Sequence, residues 1–218
     1  KDHIQKKLKK FENKYFYGKE FQVTKSLKNK FEMKIDGKKY LYTQPSLNGK
    51  HQEENASISI YFAKIMKKMG YKLNTKEINA AIKKTIWPGR LEIINYKNKK
   101  IILDGSHNID GAEKLNEFLK TKKIKPIVLF GMLNNKKASL FLNKIKKRVS
   151  KVLAIKIPDE KNSFKAEQIN KICNNHSIEC EQLNSINDAL KYFRSNQEKI
   201  FLITGSLYLI GKIRRRLL

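Results

Sequence analysis

Cysteine is nearly absent: 218 residues hold only Cys173 and Cys180. They lack metal-ligand spacing and any secretory context, which excludes a disulfide-framed fold and points to reduced thiols. No run approaches the roughly 18 apolar residues of a membrane span, and no signal-peptide pattern opens the chain. These absences lead us to expect a cytoplasmic protein with no membrane contact. No set of His, Cys, Asp and Glu has the spacing of a metal centre. No Gly-rich loop ending in Lys-Ser or Lys-Thr is present, so a P-loop phosphate cradle is missing. Internal repeats and low-complexity linkers are missing too.

Arginine and alanine are also scarce. The chain has 42 Lys but 6 Arg, and 9 Ala against 26 Ile and 20 Asn, with a formal net charge of +28. Lys, Ile and Asn share AT-rich codons, so coding bias explains the three together. Dedicated readers of a phosphate backbone favour Arg more than this. The lysines are scattered along the chain and read as a solvated surface rather than a nucleic-acid footprint. Arg214, Arg215 and Arg216 form the one dense Arg run, at the end of a terminal helix where positive charge suits the dipole.

What is present has an order. An amphipathic helix is expected over 2–14, with Ile4, Leu8 and Phe11 on one side. Strands follow at 21–24, 31–35 and 39–43, and Asp36-Gly37 marks a hairpin. A helix over 52–69 places Ile58, Phe62, Ile65 and Met69 on its apolar face, and Gly70 ends it. Thr75 caps a further helix to about residue 84. Pro88 and Gly89 then break the chain, and we place a domain boundary there, dividing 1–89 from 90–218. Beyond it come strands at 91–95, 101–103, 127–130, 152–155 and 200–204. Helices at 111–120, 138–149, 166–174, 186–195 and 207–217 alternate with them. This is the rhythm of a mostly parallel, doubly wound α/β sheet.

Four segments carry chemistry. Asp104 ends an apolar strand, where its carboxylate can accept hydrogen bonds from ribose hydroxyls. His107 and Asn108 follow in the loop before a helix start, a place that suits an anion. Capping and packing would explain either Asp104 or His107 alone, but Asp, His and Asn within five residues at a strand end favour function. Arg90 follows the Pro-Gly break, where a guanidinium fork can reach phosphates held by a neighbouring domain. Its plainer reading is a surface Arg paired with Glu92. Asn55 falls in the first turn of the 52–69 helix, where its amide can face a ligand. The segment Ile203 to Tyr208 is a strand, a tight turn and a helix start. His3 and His176 have no companions and read as surface residues.

Taken in order, Gly49–Ala56 (GKHQEENA), Trp87–Glu92 (WPGRLE), Leu103–Ala112 (LDGSHNIDGA) and Thr204–Gly211 (TGSLYLIG) resemble the C-terminal half of the folylpolyglutamate synthase/dihydrofolate synthase family, a branch of the Mur ligases. The resemblance spans nearly the whole chain. It implies the tail of a central P-loop-type ATPase domain over 1–89 and a Rossmann-like C-terminal domain over 90–218. The implied reaction is ATP-dependent: an acyl phosphate forms on dihydropteroate or a folate, and the amine of L-glutamate displaces phosphate. Carried over residue by residue, Asn55, Arg90 and Asp104 contact ATP, with Arg90 near the phosphates and Asp104 near the ribose. His107 is the catalytic residue, close to the transferring phosphoryl group. Ser106, Asn108 and Ser206 match motif positions without an assigned role. The resemblance further implies Mg²⁺, with its ligands and the P-loop lying before Lys1, and a monomer. The chain thus reads as a fragment or one piece of a split protein, inactive alone.

The sequence departs from the family pattern in two places. Ile109 replaces the usual Pro after His-Asn, and Gly131–Lys137 (GMLNNKK) lacks both acids of the related Gly-x-Leu-x-Asp-Lys-Asp segment. Two other functions compete: a peptidoglycan-type Mur ligase and a basic nucleic-acid-binding protein. The first usually carries Asp-Tyr-Ala-His and Gly-Lys-Gly-His-Glu, where this chain has Leu-Asp-Gly-Ser-His and Thr-Gly-Ser-Leu-Tyr.

Overall fold

The computed structural model describes residue 7 and residues 10–218. Most of the helix expected over 2–14 lies outside the described residues, and residues 11–14 are not helical. The chain divides into two compact units, one of residues 1–46 and 50–86, the other of 47–49 and 87–218.

The first unit pairs a small antiparallel sheet with two helices. Strands β1 (Phe21–Ser26), β2 (Lys30–Ile35) and β3 (Lys38–Thr43) lie in the order β1-β2-β3. Asp36 (φ 46°) and Gly37 (φ 84°) make the two-residue turn between β2 and β3, with both residues in the left-handed region that such hairpins require. Helix α1 (His51–Lys68) and helix α2 (Thr75–Lys84) complete the unit. Asn74 is the N-cap of α2, one residue before the expected Thr75, and forms a reciprocal capping box with Glu77.

The buried face of α1 is only partly the expected one: Ile65 packs against the core, but its three companions do not. Ile60, Tyr61 and Ser57 are buried, and Tyr61 stacks on Phe21 of β1 at 4.5 Å between ring centroids. Ile58, Phe62 and Met69 are instead 54 %, 61 % and 69 % exposed. The helix carries two apolar stripes, and periodicity alone does not say which one meets the sheet. At its start, buried Glu53 accepts hydrogen bonds from Ser26 Oγ and Gln44 Nε2, fastening the helix to the hairpin side of the unit.

The second unit is a six-stranded sheet in the order β4-β5-β9-β6-β7-β8. Its strands are β4 (Glu92–Tyr96), β5 (Lys99–Asp104), β6 (Ile127–Phe130), β7 (Lys151–Ile155), β8 (Cys180–Leu183) and β9 (Ile200–Thr204). Only β4 runs antiparallel. Helices α3 (Ile109–Lys122), α4 (Ala138–Ile145) and α5 (Ala166–Asn175) cover one face, through residues such as Leu115, Phe141 and Cys173. Helices α6 (Ile186–Ser195) and α7 (Leu207–Leu217) cover the other, through Phe193 and Ile213. Helix α4 gives way to a 3-10 turn at Lys146–Arg148, inside the single helix expected to Val149. His176 is half-buried rather than a bare surface residue, because its Nε2 lies 2.8 Å from Ser139 Oγ.

Candidate active site at the carboxyl edge of the sheet

In an open α/β sheet, ligands bind where neighbouring strands send their helices to opposite faces. Here that place flanks β9. Strand β5 leads to α3 on one face, while β9, its parallel neighbour, leads to α7 on the other. Asp104 is the last residue of β5 and Thr204 the last of β9, and the two are register partners. Their parity matches Ile102 and Leu202, which face the side of α3 to α5.

Three of the sequence motifs meet at this edge. The Gly105 N–H donates to Gly89 O at 2.7 Å, tying the strand end to the Pro-Gly turn. The Gly205 N–H donates to Ser106 O at 3.1 Å, and the Gly131 N–H to Thr204 O at 3.4 Å. These approaches need glycine. A Cβ on Gly105 would lie 2.2 Å from Leu207 Cδ2. One on Gly205, whose φ is +101°, would lie 2.6 Å from Gly131 O.

Asp104 is 4 % exposed, and its Oδ2 has no hydrogen-bond partner; the same holds for Thr204 Oγ1, in a residue with no exposure. Among the described residues these are the two buried side-chain polar atoms left unpaired. Each such atom costs about 1–3 kcal/mol, a cost usually tolerated where a ligand or a movement completes the pairing. Burial pushes the Asp104 carboxyl above its ordinary range. Hydrogen bonds from Ser106 and from the Leu91 backbone, and the charge of Arg90, oppose that shift.

Arg90 is half-buried, with its guanidinium 5.8 Å from the centre of the Trp87 ring. It does not pair with Glu92. That carboxylate is taken by a two-point bridge from Arg214, with Nη2 to Oε1 at 2.8 Å and Nε to Oε2 at 3.0 Å, and by the Gly89 N–H. These donors hold Glu92 below the usual carboxylate range, the Arg214 hydrogen bond foremost. No carboxylate lies within ion-pair distance of Arg90 among the described residues, so its fork is open to an anion.

His107 Nδ1 lies 3.0 Å from Gly105 O. A carbonyl only accepts, so Nδ1 carries the proton and Nε2 is left for another partner. Asn108 has the plainer role: its Oδ1 accepts from the Gly111 N–H as the N-cap of α3. Ser206 does the same for α7, accepting from Tyr208 N–H. The structure thus gathers Arg90, Asp104 and His107 around one edge. Asn55 belongs to the other unit. It is the fifth residue of α1, one place further along than expected because the helix starts at His51 rather than Gln52, and its exposed amide donates to Gln52 Oε1 at 3.0 Å. Thr204 ends β9 as Asp104 ends β5, a polar residue closing an apolar strand.

This architecture, a doubly wound sheet with unpaired polar groups at its switch point, is that of a Rossmann-like α/β domain. The chain belongs to the family described as dihydrofolate synthetase, C-terminal domain, which matches residues 90–216. It is 32 % identical over 200 residues to dihydrofolate synthase/folylpolyglutamate synthase of Bacillus subtilis, covering 86 % of this chain and 44 % of that protein. It is 29 % identical over 177 residues to folylpolyglutamate synthase of Lacticaseibacillus casei, covering 79 % and 40 %. Among solved structures, folylpolyglutamate synthase of Thermotoga maritima superposes with a TM-score of 0.74 at 27 % identity, over 93 % of this chain and 48 % of that one. The bifunctional enzyme of Yersinia pestis shares the fold, with a TM-score of 0.80 at 15 % identity over 99 % and 50 %. The chain therefore spans about half the length of these relatives. No helix among the described residues is long and apolar enough to cross a membrane.

Proposed function

We propose that this chain is the C-terminal half of an ATP-dependent ligase that joins L-glutamate to dihydropteroate, a reduced folate, or both. The observation that carries this reading is the meeting of Asp104, Arg90 and His107 at the switch point of a domain of this family. Support for a nucleotide and a divalent metal comes from related structures, one from Escherichia coli with ADP and one from Yersinia pestis with AMPPNP and Mn. In this reading residues 1–89 are the tail of a central ATPase domain and 90–218 the C-terminal domain. The enzyme is a cytoplasmic monomer with Mg²⁺ as its metal and no nucleic-acid partner.

The chemistry assigns a task to each residue. The substrate carboxylate attacks the γ-phosphorus of ATP, ADP leaves, and the glutamate amine then displaces phosphate from the acyl carbon. Arg90, held in no close ion pair, neutralises charge on the moving phosphoryl group. The Asp104 carboxylate accepts from a ribose hydroxyl. His107, its Nδ1 fixed on Gly105 O, presents Nε2 to a phosphoryl oxygen. Asn55 is a separate ATP contact from the first unit. Among the described residues no three His, Cys, Asp or Glu side chains converge on a metal position, and in this reading the Mg²⁺ ligands lie before Lys1.

The test is glutamate incorporation by the natural protein that carries this chain. We expect ADP release that depends on glutamate and on dihydropteroate or tetrahydrofolate. ADP release without glutamylated product, or no turnover with either acceptor, removes the reading.

A further inference from the structure

Thr204 has no role in the reaction as described so far, yet its position is unusual. It ends β9 beside Asp104 of β5, with its side chain on the same face of the sheet. Both residues are buried, and each has an oxygen without a partner. Asp104 is a carboxylate that accepts, and Thr204 is a hydroxyl that donates. The Asp104 carboxylate already has Ser106 and the Leu91 backbone as donors, so Oδ2 is the open position. Rotation about the Cα–Cβ bond of a threonine exchanges its hydroxyl with its methyl or hydrogen, and staggered positions lie within easy reach. Neighbouring strands lie about 4.8 Å apart, so register partners on one face are close enough for such a rotation to bring the two groups together.

We infer that Thr204 is a positioning residue for Asp104: its hydroxyl donates to the carboxylate and fixes the orientation in which Asp104 meets the nucleotide. The inference rests on the reading of Asp104 as an ATP contact. Thr204 itself touches no substrate. It holds the carboxylate plane from the β9 side while Ser106 holds it from the loop. The backbone is already pinned there, because Gly205 N–H bonds Ser106 O and Thr204 O accepts from Gly131 N–H. A fixed strand end with one free torsion is well suited to aim a neighbouring side chain.

The test uses the natural protein with ATP varied at saturating acceptor and glutamate. Thr204→Val keeps the shape and removes the donor. It should raise KM for ATP about tenfold, the size of one hydrogen bond to a charged group, and leave kcat within about twofold. Thr204→Ser, which restores the hydroxyl, should return KM to near the wild-type value. Thermal melting checks that Thr204→Val is folded at the assay temperature, so that a change in KM is read on the native protein. Thr204→Ala serves as a second donor-free variant if the valine protein fails to fold. Wild-type KM in a folded donor-free variant, with Asp104→Asn still raising KM, overturns the role of Thr204 alone. Wild-type KM in Asp104→Asn overturns the Asp104 reading together with it.

Discussion

The two units handle their apolar surface differently. In the second, both faces of the sheet are covered, and Phe130, Phe141, Phe193 and Phe201 are fully buried. Its buried interior leaves two side-chain atoms unpaired, Asp104 Oδ2 and Thr204 Oγ1, while Trp87, Ile93, Leu140 and Tyr208 stay exposed at its surface. In the first unit, α1 buries one stripe on the hairpin sheet and leaves Ile58, Phe62 and Met69 bare. Its candidate ligand residue, Asn55, is exposed and bonded to Gln52. A site whose geometry is fixed by its own unit, such as the cluster of Arg90, Asp104 and His107, can be read in detail. A residue standing alone on a helix cannot.

The strongest way to break this comparison is at Arg90. In the natural protein, Arg90→Ala should lower kcat for ATP-dependent glutamate ligation ~10²-fold or more, as for the loss of a phosphate clamp. Asn55→Ala should cost less, because one amide hydrogen bond is a smaller contribution than a guanidinium on developing charge. Steady-state kinetics decide it, and an Arg90→Ala enzyme with near wild-type kcat would end the assignment.

Next is the packing beneath the site. Gly205→Ala would place a methyl 2.6 Å from Gly131 O at a backbone φ of +101°, so strain and clash act together. Denaturant unfolding should show a loss of about 2–3 kcal/mol. Gly37→Ala in the first unit offers the contrast, since φ is +84° there but nothing lies within 4 Å of an added Cβ. It should cost only about 1 kcal/mol. Equal losses would mean that the close approach of the β6 and β9 ends is not tight.

Much of this was legible in the sequence, for physical reasons that can be named. Strands β6 and β9 are runs of apolar residues bounded by turn signals, and buried parallel strands look like that. Asp104 is legible because a carboxylate ending such a run comes out at the carboxyl edge of the sheet, with His107 and Asn108 close behind it. Strand β8 went unseen. Its residues Cys180-Glu181-Gln182-Leu183 lie at the sheet edge and are largely polar, so neither alternation nor an apolar run marks them. Of the stripe expected to be buried on α1 only Ile65 meets the core, because Ile58, Phe62 and Met69 follow the helical period as well as the true face does. The pairing of Glu92 with Arg214 was hidden by 122 residues of sequence, and only the docking of α7 on the sheet reveals it.

A smaller effect separates binding from folding at Asp104. Its pKa is raised by burial above the ordinary 3.8, so the protonated form favours the fold. That contribution is fully present below about pH 3.8 and is lost as pH rises through the folded-state value. Asp104→Asn is neutral at every pH and escapes the loss. Its stability relative to wild type should therefore grow as pH rises from about 4 and then level off, in denaturant titrations across that range. The same variant should bind ATP more weakly at neutral pH, where a carboxylate is the better acceptor. A stability difference independent of pH would mean the carboxyl is not forced up by its site.

The smallest effect belongs to the bare stripe of α1. Phe62 is 61 % exposed and adds little to the core of the first unit, which is built from Phe21, Phe31, Met33, Ile35, Ile60 and Tyr61. Phe62→Ser should change the stability of this 218-residue chain by no more than about 0.5 kcal/mol, the usual range for an exposed site. Ile60, two residues earlier and 1 % exposed, faces the sheet, and its replacement by Ala should cost about 2–5 kcal/mol. Unfolding monitored at Tyr61, which stacks on Phe21, reports on this unit directly. Comparable losses at the two positions would show that the stripe of Ile58, Phe62 and Met69 is already covered, and the contrast between the units would disappear.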